Sequence, residues 1–294
     1  MESSERNGLV AALVSSALGG CAGGLTRYVN VAAHFDPIAL AAFRFGIAFV
    51  IMLPIALALR SRWPKGRDWF GVAALGILFF SLFFVLYNVA LAHTSAARGS
   101  LALSTLPLAT MLVGALIGVE ALTRRKTVGV LVAIGGVALA LGAGLASAPA
   151  GAWRGDLLMV GATLLMAMYS VWSRRFVGRS SPLGFLTAGM GFGAAASILI
   201  AWERGGFDAM QAVTRDQWFA VVGIAVLGGA ASFYLWVFAL ERTTPTRVTN
   251  TMTINPVSAS LLAALLIGEP LGLSLVLGIV AVGTGIWIAS TVGK

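Results

Sequence analysis

The segment ALAHTSAARGSLALSTLP (residues 90–107) returns 149 positions later as ALERTTPTRVTNTMTINP (residues 239–256). The same offset places Arg98 on Arg247 and continues beyond the matched segment without a gap. A register held over such a distance indicates that the chain is an internal duplication. In a hydrophobic chain, internal duplication is typical of secondary transporters.

The composition is that of a membrane protein. Hydrophobic residues make up 59% of the 294 positions and charged residues only 11%, which is far from the proportions of a soluble domain. Apolar stretches of about twenty residues, the length that crosses a bilayer core of roughly 30 Å, follow one another along the chain. The sequence therefore predicts an all-α membrane protein with ten transmembrane helices, at residues 8–27, 37–59, 68–92, 96–119, 125–146, 153–173, 182–202, 216–240, 245–267 and 271–291.

The distribution of the basic residues behind the net charge of +9 indicates how the chain is oriented in the membrane. With the N-terminus in the cytoplasm, 14 Lys and Arg residues fall on the cytoplasmic side and 5 on the outer side, and Arg44 lies within a span. This split fits the positive-inside rule, so we expect both termini to be cytoplasmic. The basic charge is thereby explained without a nucleic-acid partner.

The predicted helices divide five and five between residues 1–147 and residues 148–294. Because five is odd, the second repeat enters the membrane from the opposite side, and the two repeats have inverted topology. Such repeats enclose a cavity near the bilayer midplane, and rocking of the halves exposes it to either side in turn. The sequence therefore predicts an alternating-access carrier of a small-molecule substrate.

The chain resembles the EamA-type members of the drug/metabolite transporter superfamily. The resemblance rests on ALAHTSAARGS…LPLATMLVGALIGVEALT…GVLVAIGG, on its copy ALERTTPTRVTN…INPVSASLLAALLIGEPLG…GIVAVGTG, and on the element Asp36-Pro37…Arg44-Phe45. It implies two EamA-like repeats forming a ten-helix exporter or exchanger of small metabolites in the bacterial inner membrane. Within the superfamily the chain looks most like the aromatic amino-acid exporter group YddG. The second repeat carries Gly-Met-Gly at 189–191 in place of the Arg44 element, so Arg44 is not duplicated.

Polar and aromatic residues inside the predicted spans are the candidates for substrate contact. Polar side chains facing hydrocarbon are unfavourable, so they point at other helices or at a cavity. An intramembrane arginine suits a substrate carboxylate, and aromatic rings suit an apolar body. The predicted substrate-binding residues are Ser16, Gly20, Arg44, Ser81, Phe84, Asn88, Ser104, Tyr169, Tyr234, Asn250 and Thr253. The alternatives are hydrogen bonds between helices for the polar set, and snorkelling or carbonyl contacts for Arg44.

Pro107 and Pro256 occupy matching places in the predicted fourth and ninth spans. A proline removes one hydrogen bond of a helix and kinks it, which frees backbone carbonyls for a cavity. We predict that both prolines act as hinges. The alternative is that they are simply tolerated kinks.

The sequence lacks the motifs that several other classes of function require. The chain has no GxxxxGK[ST] loop and no HExxH or CxxC spacing, so no cofactor and no metal are expected. The acidic residues lie at or outside the span ends, which argues against an intramembrane enzyme and against proton coupling. Export of other amino acids, nucleosides or drugs, and a passive channel, stay open as alternatives. Ten helices can form a complete carrier, so no oligomer is required.

Overall fold

The computed structural model describes residues 3–33, 35–103, 105–118, 123–124, 127–129, 131–132, 135–136, 150–208, 210, 213–268, 273, 276–277, 280–281 and 283–284. Over these residues the chain is helical and has no strand, as predicted. The helices are α1 Ser3–Ala33, α2 Pro37–Ala58, α3 Asp68–Gly76, α4 Phe84–His93, α5 Ala96–Leu103, α6 Leu106–Leu116, α7 Ala152–Arg179, α8 Pro182–Glu203, α9 Arg215–Gly223, α10 Ser232–Arg242, α11 Pro245–Asn250 and α12 Asn255–Ile267.

Eight stretches of the described residues are long and apolar enough to cross a bilayer. They correspond to the predicted spans one to four and six to nine. The predicted fifth and tenth spans, 125–146 and 271–291, fall largely on residues outside the described set, as do Glu120 and Glu269. The ten-helix count and the inverted repeat therefore stay predictions, whereas the all-helical membrane architecture is confirmed.

Helix starts follow from short polar caps in front of proline. The side chain of Asp36 accepts hydrogen bonds from the backbone N–H groups of Ile38 and Ala39 at 2.9 and 2.8 Å, and Pro37 is the first residue of α2. Ser181 and Thr244 cap α8 and α11 in the same way, each followed by a proline. Such a cap satisfies donors that a helix N-terminus otherwise leaves unpaired, and proline has no N–H to lose there.

Four of the spans are not uniform α-helices. A π-helical segment, Ile77–Phe83, joins α3 to α4, and a second one, Ile224–Ala231, joins α9 to α10. The predicted fourth span is likewise divided into α5 and α6, and the ninth into α11, a 3₁₀ turn at Thr251–Ile254 and α12. Each π-helical segment adds a residue to its helix and so changes which side chains face the interior.

The strongest helix packing joins the two halves of the sequence. Helix α2 packs against α8, α1 against α10 and α12, and α4 against α7. Small residues make the approach possible: a Cβ atom on Gly76 would lie 2.4 Å from the carbonyl oxygen of Gly189, and one on Gly20 would lie 2.5 Å from that of Asn255. Close backbone contact of this kind replaces the hydrophobic effect as the basis of association in lipid.

Candidate functional site

A cavity lies between the two halves, bounded by side chains of α1, α2, α4, α5, α7, α10 and α12. The space inside it that is open to a water-sized molecule is about 30 Å³, room for roughly one or two water molecules and well below the volume of sites that hold a small-molecule ligand. The residues that line it are Ser15, Ser16, Gly19, Arg44, Phe83, Phe84, Tyr87, Leu103, Met166, Ser232, Phe233, Trp236, Met252 and Asn255. The lining is thus mainly apolar, with five aromatic rings, one cation and a few neutral polar groups.

Arg44 supplies the cation. Its side chain is buried, with 3% of the residue exposed, so it does not snorkel to the membrane surface. Nη2 donates a hydrogen bond of 2.7 Å to the carbonyl of Gly228 in the second π-helical segment. The guanidinium carbon also lies 4.3 Å from the ring centre of Phe84, a cation–π distance. Nε and Nη1 have no hydrogen-bond partner among the described residues.

Hydroxyl groups from both halves form the polar side of the cavity. Ser15 donates to the backbone carbonyl of Ser232 at 2.7 Å, and Ser232 donates to the carbonyl of Ser15 at 2.9 Å. The hydroxyl of Ser16 lies 2.7 Å from that of Thr251. These bonds join α1 to α10 and to the 3₁₀ turn. Next to them, the side-chain oxygen of Asn255 is buried without a partner among the described residues.

A cluster of rings also lines the cavity. Phe84 and Phe233 meet edge to face with centroids 5.6 Å apart, and Phe83 lies 4.6 Å from Phe84. Trp236, which is almost completely buried, borders the same space, and its indole N–H has no partner within the described part of the chain. Such a surface accepts the face or edge of an aromatic body and offers one donor.

Ion pairs between the two halves lie at both ends of the bundle. At one end, which we name the Asp156 end, Asp156 near the start of α7 accepts hydrogen bonds from Arg98 and from Thr94. At the other, the Glu5 end, Arg247 near the start of α11 pairs with Glu5 near the start of α1. Arg98 and Arg247 are the residues that the 149-residue offset equates. The corresponding arginine of each half therefore pairs with an acid near the start of the first helix described in the other half.

Three of the predicted substrate-binding residues, Ser16, Arg44 and Phe84, line this cavity. Ser104 lies outside the described residues, and the side chain of Thr253 does too. The structure places the other six away from the lining: Gly20, Ser81, Asn88, Tyr169, Tyr234 and Asn250. A contact of these six with substrate stays a prediction.

The six residues have other neighbours, for physical reasons. Gly20 allows α1 to approach α12, and Ser81 accepts a hydrogen bond from Ser197 on α8 at 3.0 Å. The amide of Asn88 donates to the carbonyl of Pro37 at 2.8 Å, which fastens α4 to the start of α2.

The remaining three lie among rings or at a helix end. Tyr169 stacks on Phe79 with centroids 4.1 Å apart, behind the residues that line the cavity. Tyr234 packs beside Phe238 on another face of α10. Asn250 is the last residue of α11, where the helix gives way to the 3₁₀ turn.

The two prolines each begin a new helix. Pro107 is the second residue of α6, and Pro256 is the second residue of α12, immediately after the 3₁₀ turn. The predicted breaks in the fourth and ninth spans are therefore present. Movement at these breaks, which the hinge hypothesis requires, stays a prediction.

The remaining residues of the cavity were not among the predicted site residues. Ser15, Ser232 and Asn255 form its polar side, and Trp236 its largest ring, yet none was predicted as a site residue. Asn255 sits in the repeated segment, directly before Pro256, and an amide buried in a membrane span is a detectable signal. Trp236 carried no such signal, because tryptophan in a span usually marks the membrane interface.

Comparison with known proteins gives the family. The EamA-like transporter family model matches the chain twice, at residues 6–142 and 153–291. The chain is 25% identical to an uncharacterized transporter YyaM of Bacillus subtilis, over 88% of this chain and 86% of that protein. It is also 25% identical to an uncharacterized inner membrane transporter YedA of Escherichia coli, over 81% and 76%.

A solved structure supports the same fold. The chain of one solved crystal structure superimposes on this chain with a TM-score of 0.69 and 22% sequence identity. The match covers 98% of this chain and 96% of that one. The family and the names of these relatives point to a transporter rather than an enzyme. The multi-pass architecture, the cavity between the halves and the family matches agree: this chain is a membrane protein of the EamA-like transporter family.

Proposed function

We propose that the protein is an alternating-access carrier of the bacterial inner membrane that exports or exchanges small metabolites, preferentially aromatic and hydrophobic amino acids. The cavity carries this proposal, because its lining combines five aromatic rings with neutral polar groups and one cation. An apolar pocket with a few polar groups suits a zwitterion with an aromatic side chain. In this proposal each EamA match is one five-helix repeat of inverted topology, and both termini are cytoplasmic.

The contacts between the halves support alternating access. Opening the Asp156 end requires α7 to leave α5, and opening the Glu5 end requires α11 to leave α1, so the two movements break different ion pairs. Rocking of one half against the other closes one end as it opens the other. A permanently open pore would not need an ion pair between the halves at both ends.

No carboxylate lines the cavity among the described residues, and Asp156 is held by Arg98 and Thr94. A proton-coupled carrier usually relays through an intramembrane carboxylate or histidine. We therefore infer facilitated transport or exchange, with direction given by the gradients of the substrate.

The experiment is transport by the purified protein in proteoliposomes. Radiolabelled phenylalanine, tryptophan, threonine and a polyamine are offered with and without unlabelled substrate on the far side, and with and without a pH gradient. We expect saturable aromatic transport that is stimulated by substrate on the far side and indifferent to the pH gradient. Flux without such stimulation would indicate a pore, and flux only with a pH gradient would overturn the uncoupled mechanism.

A matched pair of variants ties the flux to the cavity. Phe233, at 6% exposure, lines the cavity, whereas Phe219 in the same span is 62% exposed. Phe233→Leu keeps an apolar side chain of similar size but removes the ring, so the fold is retained. We expect Phe233→Leu to lower aromatic transport about tenfold, the effect of losing an aromatic contact worth roughly 1.5 kcal/mol, and Phe219→Leu to leave it unchanged. Equal effects of the two substitutions on transport would show that the cavity does not bind the transported substrate.

A further inference from the structure

Arg44 is a buried cation whose hydrogen-bonding capacity the protein does not use. Of the five N–H donors of a guanidinium, one is engaged, by the carbonyl of Gly228. Nε and Nη1 are buried without a partner among the described residues. A buried charge is unfavourable unless it is paired and hydrogen-bonded. The contacts described so far therefore satisfy this side chain only in part.

The surroundings supply no counter-charge. None of the residues lining the cavity is Asp or Glu, and Arg44 takes part in no ion pair within the described part of the chain. Phe84 offers its ring face to the guanidinium at 4.3 Å, and this contact attracts a cation without neutralising it. No described residue therefore neutralises Arg44, and an anion that enters the cavity could do so.

We propose that Arg44 is the anion-binding residue of the cavity and that the transported molecule must carry a carboxylate, whereas an amino group is dispensable. This inference rests on the proposed function and narrows it. The planar guanidinium matches the geometry of a carboxylate. Trp236 contributes a second unpaired donor on the same cavity, and Phe83, Phe84 and Phe233 contact the apolar body. Acids with an aromatic ring but no amino group are therefore substrates.

Asn255 explains why an amino acid is also accepted. Asn255 lines the same cavity, and its side-chain oxygen has no donor among the described residues, so it can accept a hydrogen bond from an ammonium group that reaches it. A neutral amide oxygen contributes less than a charged partner, because hydrogen bonds to charged groups are the stronger class. The carboxylate therefore dominates recognition and the ammonium group adds to it.

A purely structural role for Arg44 makes a different prediction. If it served only to hold the second π-helical segment through Gly228, its replacement would weaken folding and lower the transport of every substrate equally. A carboxylate-binding role instead changes the preference between substrates. Selectivity is therefore the measurement that separates the two roles.

The test compares three competitors of labelled phenylalanine in proteoliposomes: 3-phenylpropanoate, which lacks the amino group, and phenethylamine and phenylalaninamide, which lack the carboxylate. We expect 3-phenylpropanoate to compete and both amines to be weaker by about a hundredfold or more, the loss typical of a buried charge left unpaired. Arg44→Gln should abolish this preference in folded protein. Arg44→Lys, which keeps the charge but not the planar fork, should reduce affinity for the carboxylate by about tenfold.

Arg67→Gln is the matched control, because Arg67 is exposed at the start of α3 and should leave the preference intact. Binding is followed independently by quenching of Trp236 fluorescence, with Trp236→Phe identifying its signal. Equal competition by phenethylamine, or a preference retained in Arg44→Gln, would overturn the proposal.

Failure of the proposed function looks different. If phenylalanine is not transported but 3-phenylpropanoate still quenches Trp236 in the wild type and not in Arg44→Gln, the anion site is supported and the proposed amino-acid transport is wrong. If aromatic compounds with and without a carboxylate are transported equally well, the proposed carrier function is supported and the anion site is wrong.

Discussion

Replacement of Asp156 by asparagine is expected to bias the carrier toward opening at the Asp156 end. Asp156 and Arg98 have side chains only 12% and 11% exposed, and Thr94 donates a second hydrogen bond of 2.9 Å to the carboxylate. Breaking a buried ion pair by removing one partner costs about 3–5 kcal/mol. Because some exposure remains, we take about 3 kcal/mol, which is roughly a hundredfold in an equilibrium constant.

The Glu5 end supplies the comparison. Arg247 and Glu5 have side chains 53% and 26% exposed, and exposed pairs contribute about 0.2–1 kcal/mol. Glu5→Gln should therefore shift the conformational equilibrium no more than about fivefold. The two variants change corresponding arginine contacts and differ mainly in burial, so their contrast isolates that factor.

The assay is labelling of a cysteine in the cavity by a membrane-impermeant maleimide. Ser16→Cys in a Cys21→Ser background places one thiol on the lining, since Cys21 is the chain's only cysteine. In our topology the Asp156 end is external. Asp156→Asn should raise the labelling rate from outside by up to about a hundredfold, and Glu5→Gln should not raise it. Unchanged labelling in Asp156→Asn, or a larger effect of Glu5→Gln, would refute the assignment of the ion pair to closure of this end.

Two further predictions concern packing. Gly193→Ala places a methyl group 2.4 Å from the Cβ atom of Phe80 and should destabilise the purified protein by about 1–3 kcal/mol. Gly161→Ala is the control, because its methyl group meets nothing within 4 Å. Equal thermal unfolding midpoints of the two variants would contradict the predicted clash. Tyr169→Phe removes a buried hydroxyl without a partner among the described residues and should change stability by less than about 1 kcal/mol, while Tyr169→Ala, which also loses the stacking ring, should cost about 3–5 kcal/mol. A large loss of stability in the phenylalanine variant would show that the hydroxyl has a partner.

The sequence predicted the architecture well because two signals were strong. Apolar length located eight of the spans to within a few residues in most cases, since a helix that crosses a bilayer needs about twenty apolar residues. The repeated segment located the breaks at Pro107 and Pro256, because a proline removes a helical hydrogen bond and each of these two begins a new helix, whereas Pro54 lies inside α2 without ending it. Both signals depend on properties of the chain that tertiary contacts do not override.

The cavity was harder to predict, and the π-helical segments are one reason. An ideal α-helix turns by about 100° per residue, so an inserted residue rotates everything that follows by that amount. The segment Ile224–Ala231 ends just before Phe233, and α10 then turns Phe233 and Trp236 toward the cavity and Tyr234 toward Phe238.

A second reason is that membrane helices are apolar on all sides. In a soluble helix the polar face marks the outside, whereas here hydrocarbon and protein interior select similar residues. The packing role of Gly20 and the hydrogen bond between Asn88 and Pro37 depend on which helices meet, and that information is absent from a single span. Arg44 was predicted because a charge within a span is exceptional in any arrangement.

The single arginine of the cavity has an electrical consequence. Arg44 belongs to the chain and has no counterpart in the second half, so the substrate alone determines how much charge is moved per transport cycle. A zwitterionic amino acid carries no net charge and produces no current, whereas an aryl carboxylate carries one negative charge through the field. Moving that charge through a membrane potential of 100 mV changes its free energy by about 2.3 kcal/mol, which corresponds to a ratio of roughly fifty between the concentrations of the acid on the two sides. With the cytoplasm negative, the same cavity would leave amino acids to their gradients and would drive organic acids out of the cell.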